Sequence, residues 1–387
     1  MGWKRILTVV VLVCVTPGLG ILALAAETDN GDADKKKKFK FSIYLEAAGG
    51  SASATSLNSS INTTSNDFSV ANLDLDSNYF GRAVIGWQLT PKERGKFKLR
   101  FEGYREDSYK FDAQGYQNTA VGAGDGEVPP VVWWTVHAEA GGTTSVRTTP
   151  IYDRVNDEVI YDDDLIRNLT IASPAPDDLQ NRIQTYDLFY ERRFGGRKTR
   201  ALWTAGLRYY TYDGNVPAGA WLSTDFPGVG FTDGALLRLL TLNQSGSGAG
   251  PVFSIELQHG FWRDRLVIFG EARTAFVLQS LEMDSGPFFT IPRFPGQPAL
   301  TAKARLDDST SKSSWQPSLE IGLSVKLVEG LQLYFSYLIN AYQDVVMLPT
   351  SITIPGNPNQ ASQGVSAVYN THDLRYEGRV FGFSYQW

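Results

Sequence analysis

The last seven residues, Phe381-Gly-Phe-Ser-Tyr-Gln-Trp387, decide the fold. Their four aromatic residues occupy every second position, and Gly, Ser and Gln lie between them. A period of two places the two sets on opposite faces of a β-strand. Four exposed rings in a row are a liability in water, whereas a transmembrane barrel turns apolar residues toward lipid and carries aromatic girdles. The pattern therefore predicts a lipid-facing aromatic end formed by Phe381, Phe383, Tyr385 and Trp387.

The N-terminus is typical of an exported protein. Lys4 and Arg5 precede a continuous apolar run over residues 6–15, and Ala23-Leu24-Ala25 fits a cleavage site. We therefore predict a signal peptide over residues 1–25 and, because residues 26–38 are polar and low in complexity, a mobile leader after it. Residues 39–387 then form a single barrel domain. Cys14 is the only cysteine of the chain, so the exported protein is predicted to contain no disulfide.

Charge and hydropathy exclude two classes of protein. The chain has 36 basic and 41 acidic residues, a net charge of −5, which argues against a nucleic-acid partner because such partners are bound by basic faces. Beyond the predicted signal peptide, no stretch is apolar for long enough to cross a membrane as a helix. A membrane location must therefore come from strands, which span a bilayer only as a closed barrel.

Alternating segments recur along the whole chain. Phe97, Leu99 and Phe101, for example, alternate with Lys and Arg residues. The pattern predicts an all-β fold, a transmembrane antiparallel up-and-down barrel of about ten strands, with twelve as the alternative count. Long loops are predicted near 49–78, 106–182, 213–247, 282–313 and 341–371. The loop 106–182 is too long to lack structure, so we expect a small hairpin or plug within it.

The connections between these strands alternate in length. The odd connections are the long loops, and the even ones are short turns near Pro91, Gly195, Gly260 and Glu329. Strands that cross a membrane up and down produce this pattern, with long loops outside and short turns in the periplasm. The bacterial outer membrane is therefore the predicted location, with its lipid as the surrounding partner.

Two resemblances to known proteins add to this interpretation. The aromatic end resembles the C-terminal strand of bacterial outer-membrane barrels, which implies recognition by the barrel assembly machinery. Four short motifs resemble the Legionella-type major outer membrane protein family, which implies a porin-like barrel. These motifs are Tyr186-Asp-Leu-Phe-Tyr-Glu191, Ala205-Gly-Leu-Arg-Tyr209, Gly248-Ala-Gly-Pro251 and Asp373-Leu-Arg-Tyr-Glu-Gly378, within a similarity running from residue 183 to 387.

Catalytic and metal-binding patterns are weak in this sequence. The three histidines, His137, His259 and His372, are widely spaced, whereas a zinc site needs three or four convergent ligands. Asp162-Asp-Asp164 offers carboxylates for calcium but lacks the spacing of a calcium loop, so a solvated acidic run is the preferred interpretation. No G-x-S-x-G elbow or phosphate-binding glycine loop is found. We therefore predict no catalytic residue, no metal site and no cofactor.

The polar faces of the predicted strands carry charges of both signs. Such charges line a selective water-filled path or fill the barrel as cross-bridges. The leading hypothesis is a narrow porin-like channel for small solutes; the alternatives are a non-conducting barrel that presents long loops for binding or adhesion and, less favoured, an outer-membrane hydrolase. The oligomeric state is left open. The lumen-lining candidates are Lys40, Glu46, Arg82, Lys98, Arg100, Glu102, Asp187, Glu191, Arg208, Glu256, Glu271, Arg273, Glu320 and Lys326.

Overall fold

The structure is a computed structural model of the chain. It describes residues 42–54, 57–63, 68–88, 95–118, 131–139, 145–148, 152–153, 158–159, 170–172, 181–196, 198–224, 235–262, 265–284, 307–353 and 366–386. The predicted signal peptide and leader, Lys40, Asp162-Asp-Asp164 and Trp387 lie outside the described residues.

The described residues form sixteen strands and are all-β in architecture. The strands are β1 (Ser42–Ala54), β2 (Leu57–Thr63), β3 (Phe68–Gln88), β4 (Gly95–Asn118), β5 (Val131–Glu139), β6 (Ser145–Thr148), β7 (Tyr152–Asp153), β8 (Glu158–Val159), β9 (Thr170–Ala172), β10 (Asn181–Gly195), β11 (Thr199–Thr224), β12 (Ala235–Phe261), β13 (Leu266–Asp284), β14 (Asp307–Val328), β15 (Leu331–Thr353) and β16 (Ser366–Gln386).

Ten of these sixteen strands close into an antiparallel barrel. In order around the wall they are β1, β3, β4, β10, β11, β12, β13, β14, β15 and β16, and each pairs with the next. The first and last strands close the ring, with Glu46 opposite Ser384 and Leu45 opposite Tyr385. The predicted fold class and strand number are therefore confirmed.

Short and long connections lie at opposite ends of the barrel, as predicted. We call the end with the short connections 195–199, 262–265 and 329–330 the turn end, and the other the loop end. Gly195 and Gly330 have positive φ angles of 92° and 83°, a conformation that glycine adopts without steric cost. These two residues therefore permit the tight reversals at the turn end.

The predicted loops are too long. β3 begins at Phe68 rather than after residue 78, and β11 continues to Thr224 rather than ending before residue 213. The predicted loops 282–313 and 341–371 shorten in the same way, since β14 begins at Asp307 and β15 ends at Thr353. In β15 the extension includes residues 345–348, Val-Val-Met-Leu, which are all buried, so apolar and polar residues do not alternate there and the sequence pattern gives no sign of a strand.

Small strands occupy parts of the long connections. β2 pairs antiparallel with β3 and parallel with β15. Within the predicted loop 106–182, β5 and β6 extend the sheet from β4, β7 and β8 pair with each other, and β9 pairs with β12. The expectation of hairpin structure in this segment therefore holds for its described residues.

The outer surface near the turn end is an apolar belt. Phe253, Ile255 and Leu257 of β12 point outward with 48%, 60% and 59% of their surface exposed. On β16, Phe381 and Phe383 also point outward and pair with Phe335 and Leu333. Such a belt is the surface that a barrel presents to hydrocarbon.

The outward face of β16 turns from apolar to charged within one strand. Arg375, Glu377 and Arg379 share the outward face with Phe381. The pairing of β16 with β1 is continuous from Tyr376 to Gln386, so within this described stretch no bulge changes the face. These charges therefore mark the upper boundary of the apolar belt.

Among the described residues, no helix is both long and apolar enough to cross a membrane.

An arginine placed on the outside of the belt should destabilise the barrel most at mid-height. Ile321, 56% exposed, lies midway along the outward apolar row from Trp315 to Leu327, so Ile321→Arg is expected to cost about 2–4 kcal/mol. Phe383→Arg lies nearer the turn end and should cost less. Denaturant unfolding in lipid vesicles measures both. Ser324→Arg, on the inward face of β14, is the matched control, and a larger loss there than at Ile321 would contradict the assignment of faces.

Candidate functional site

The structure places twelve of the fourteen lumen-lining candidates on the inner face of the barrel. Lys326 pairs in register with Gln332 at the last regular position of β14, where it is exposed at the turn end rather than inside the lumen. Lys40 lies outside the described residues. The twelve are Glu46, Arg82, Lys98, Arg100, Glu102, Asp187, Glu191, Arg208, Glu256, Glu271, Arg273 and Glu320.

Eight of these residues form a charged layer across the middle of the lumen. They are four arginines and four carboxylates, namely Arg82, Arg100, Arg208, Arg273, Glu102, Asp187, Glu271 and Glu320. All eight are buried, so the layer is balanced in charge and largely withdrawn from water. Burying charges in this way is tolerated only when each is paired and hydrogen-bonded.

The ion pairs of the charged layer bridge strands on different sides of the barrel. Arg82 on β3 donates to Glu320 on β14 at 2.8 Å and to Glu102 at 2.9 Å. Arg273 on β13 donates to Glu102 on β4 at 3.0 Å. Arg208 holds Asp187 through two hydrogen bonds of 2.7 and 2.8 Å. Because several pairs cross the lumen, the side chains fill it at this height.

A layer of aromatic rings lies directly above the charged layer, toward the loop end. Tyr104 on β4 stacks on Tyr376 of β16 with ring centres 4.4 Å apart. Tyr342 on β15 meets both rings edge-on at 6.3 and 6.2 Å. Each of these three tyrosines is at most 2% exposed. Rings from three strands therefore pack against each other in the lumen.

Above the tyrosines, β15 separates from β14 and turns toward the lumen, while residues 346–348 stay paired with β16. The ladder between β14 and β15 ends at Ser318 and Asn340, and the ladder to β16 skips from Tyr342 to Val346. Asp344, at this irregularity, has a positive φ of 57°. We call residues 343–348 the inner segment. Its residues 345–348 are at most 2% exposed, as expected for chain packed inside the barrel.

Inward-facing side chains of β12 and β13 hold the backbone of the inner segment. The Gln244 amide donates to the Met347 carbonyl at 2.6 Å and accepts from the Met347 N–H at 2.8 Å. Gln279 donates to the Asp344 carbonyl at 2.7 Å. These bonds replace ladder bonds that the segment lost, which buried backbone groups require.

Below the charged layer, the turn end of the lumen contains a cavity of about 680 Å³. Its lining includes Gly196 and Gly330 of the turns, so it opens at the turn end. Arg82, Arg100, Glu271 and Glu320 of the charged layer form its closed end. Glu46, Lys98, Glu191 and Glu256 line its walls, with Lys98 and Glu191 paired at 2.5 Å.

His259 and His372 lie at different heights and do not meet. His259 lies near the turn end, where its ring contacts Thr199, and His372 lies on the loop-end half of β16. Within the described ranges, no group of three or more His, Cys, Asp or Glu side chains is arranged to hold a metal ion.

Sequence reasoning missed most uncharged residues of the interior. Tyr104, Tyr342 and Tyr376 were not predicted to meet, and the inner segment falls in a predicted loop. The inward parity of Gln244 and Gln279 was a usable signal, since both continue the polar faces of their strands. No local signal existed for the inner segment, because its partners belong to distant strands.

Comparison with known proteins gives structural likenesses only. No protein-family model matches the sequence, and no curated protein matches it, so the resemblance to the Legionella-type family receives no support. Among solved structures, the outer membrane protease OmpT of Escherichia coli is 11% identical, with a TM-score of 0.46, covering 91% of this chain and 100% of that chain.

Two further solved structures illustrate the range of these likenesses. A major outer membrane protein of Thermus thermophilus is 10% identical with a TM-score of 0.28, covering 90% of this chain and 100% of that one. The translocator domain of the autotransporter NalP of Neisseria meningitidis is 11% identical with a TM-score of 0.24, covering 96% and 95%. All three are outer-membrane or autotransporter proteins. At these sequence identities and TM-scores, the similarities show nothing about the activity of this chain.

Removing one carboxylate from the charged layer should be costly. Glu102 accepts from Arg82 and Arg273, so Glu102→Gln removes one negative charge that both buried guanidinium groups share and should cost about 3–5 kcal/mol. Glu377→Gln is the matched control, because Glu377 pairs with Arg375 at 3.3 Å on the outer surface and should cost at most about 1 kcal/mol. Denaturant unfolding in vesicles measures both, and equal losses would contradict the role of the layer.

Proposed function

We propose that the chain is an outer-membrane barrel with a closed lumen, which anchors a surface platform formed by its extended strands. The leading hypothesis from the sequence was a narrow channel; the packing of the interior favours the non-conducting alternative. The charged layer is the observation that carries this choice. An outer-membrane hydrolase remains the least favoured alternative.

A membrane location is supported by the two faces of the barrel wall. The outward face carries the apolar belt, whereas the inward face carries buried charges, the arrangement expected of a barrel in lipid. The aromatic end of β16 fits recognition by the barrel assembly machinery. In this orientation the turn end faces the periplasm and the loop end faces the outside.

Closure of the lumen is supported by three successive layers. Glu102 of the charged layer is 1% exposed, Tyr376 of the aromatic layer is 1% exposed, and Val346 of the inner segment is 0% exposed. Barrels of about eight strands are filled by side chains, and open aqueous channels occur toward sixteen strands. Ten strands with paired charges inside therefore favour a plugged barrel.

A surface role is supported by the length of the strands. β11 has 26 residues and β12 has 27, whereas about 9–11 residues suffice to cross a membrane. The excess extends the sheet beyond the loop end, where β2, β5, β6 and β9 widen it. A widened sheet outside the membrane offers a broad surface to a partner.

The refolded protein is expected to leave planar bilayers electrically silent, because paired charges and tyrosine rings fill the middle of the lumen. Single-channel recording measures this, with insertion verified by vesicle flotation of the same preparation. Reproducible unitary conductance at matched protein density would overturn the closed barrel and restore the channel hypothesis.

Orientation is expected to show in cysteine labelling of intact cells. Val368→Cys, 60% exposed on the loop-end half of β16, should react with a membrane-impermeant maleimide added outside. Gly196→Cys, where an added side chain meets nothing within 4 Å, should react only after the outer membrane is opened. Labelling of Gly196→Cys in intact cells would reverse the orientation.

A further inference from the structure

The cavity at the turn end has the size of a ligand site. Its volume of about 680 Å³ lies within the usual range of small-molecule pockets, roughly 300–1,000 Å³. It lies below the three layers that close the lumen, and the charged layer forms its closed end. A ligand reaches it from the turn end whether or not the barrel conducts.

Two charges that line this cavity lack counter-ions among the described residues. Glu256 accepts from Gln258 at 2.6 Å but has no cation within salt-bridge distance in that part of the chain. Lys96 donates to Gln386 at 3.0 Å and likewise has no carboxylate within that distance there. The neighbouring Lys98 and Glu191, by contrast, are paired.

The position of Glu256 makes its lack of a cation costly. It stands directly opposite Glu271 in the pairing of β12 with β13, and like charges in that position repel. Two cations that also line the cavity are already engaged, because Arg100 pairs with Glu271 at 3.3 Å and Lys98 pairs with Glu191. A positively charged group from a ligand would relieve this repulsion.

The closed end of the cavity contains a second unused group. Arg100 lines the cavity and is only 9% exposed, yet its Nε has no hydrogen-bond partner in the described part of the chain. Buried polar atoms are normally satisfied, so this unpaired Nε shows that the hydrogen bonding at the closed end of the cavity is incomplete. Glu256 and Lys96 therefore remain the acceptor and the donor that the cavity offers to a ligand.

The spacing of the two unpaired charges sets the length of the ligand. Lys96 lies on β4 and Glu256 on β12, three strand spacings apart along the wall, which is about 14 Å between backbones. Their side chains reach into the cavity and shorten this gap. Two or three extended residues, at about 3.3–3.6 Å each, span the remainder.

We propose that the cavity binds a short zwitterionic peptide, with the ammonium group at Glu256 and the carboxylate at Lys96. Tyr44, Tyr334 and Phe269 also line the cavity and supply apolar contact for the middle of such a ligand. The Tyr334 hydroxyl is held by Glu46 at 2.7 Å, which fixes this part of the wall.

The test uses trialanine and two blocked forms, titrated by calorimetry into the full-length folded protein in detergent. Trialanine is expected to bind. Glu256→Gln should weaken trialanine and trialanine amide about tenfold or more but leave N-acetyl-trialanine unchanged, because only the acetylated form lacks the ammonium group. Lys96→Gln should weaken trialanine and N-acetyl-trialanine but leave the amide unchanged.

Lys326→Gln is the matched control, since Lys326 is exposed at the turn end outside the cavity lining, and it should change nothing. Thermal unfolding verifies that each variant is folded. Absence of trialanine binding at millimolar concentration, or losses that do not depend on which terminus is blocked, would overturn the proposal. Peptide binding and conductance are measured in separate experiments. The proposal of a peptide site and the proposal of a closed barrel can therefore be refuted independently.

Discussion

A charge that a closed wall of strands removes from water needs a partner inside the same wall, and the structure depends on this constraint. The four arginines and four carboxylates of the charged layer meet it by pairing with one another, either across the lumen or, for Arg208 and Asp187, between neighbouring strands. Such pairing fixes more than local geometry. A slip of one residue in any contributing strand would turn its charge toward the apolar exterior, so the layer and the register of the barrel stabilise each other.

The interior is divided by height into regions with different chemistry. The charged layer and the tyrosines above it leave little room for water, whereas the cavity below them is open at the turn end. Charges around the cavity are only partly matched, as Glu256 and Lys96 show. Full pairing supports the fold, and incomplete pairing in a solvated space is a feature expected of binding sites.

The inner segment shows how a barrel uses a stretch of strand to fill its lumen. β15 loses ladder bonds to β14 above Asn340 and to β16 around Asp344. Gln244, Gln279 and Ser314 supply replacement bonds to its backbone, and Ser314 does so at 2.7 Å to the Gln343 carbonyl. Polar side chains on the inner wall thus serve the chain itself, and their presence alone does not indicate a solute path.

The sequence by itself determined the ten strands, the two faces of most of them and the sorting of short and long connections, because each follows from neighbours along the chain. It placed Arg82 and Glu320 on the inner faces of their strands. It did not predict that the two side chains would pair, because only closure of the barrel brings β3 and β14 to face each other. The tertiary structure alone decided which charges pair, where the inner segment lies and how much of the lumen stays open. The end of β15 could not be predicted either, because residues 345–348 are all buried and their side chains therefore do not alternate between apolar and polar.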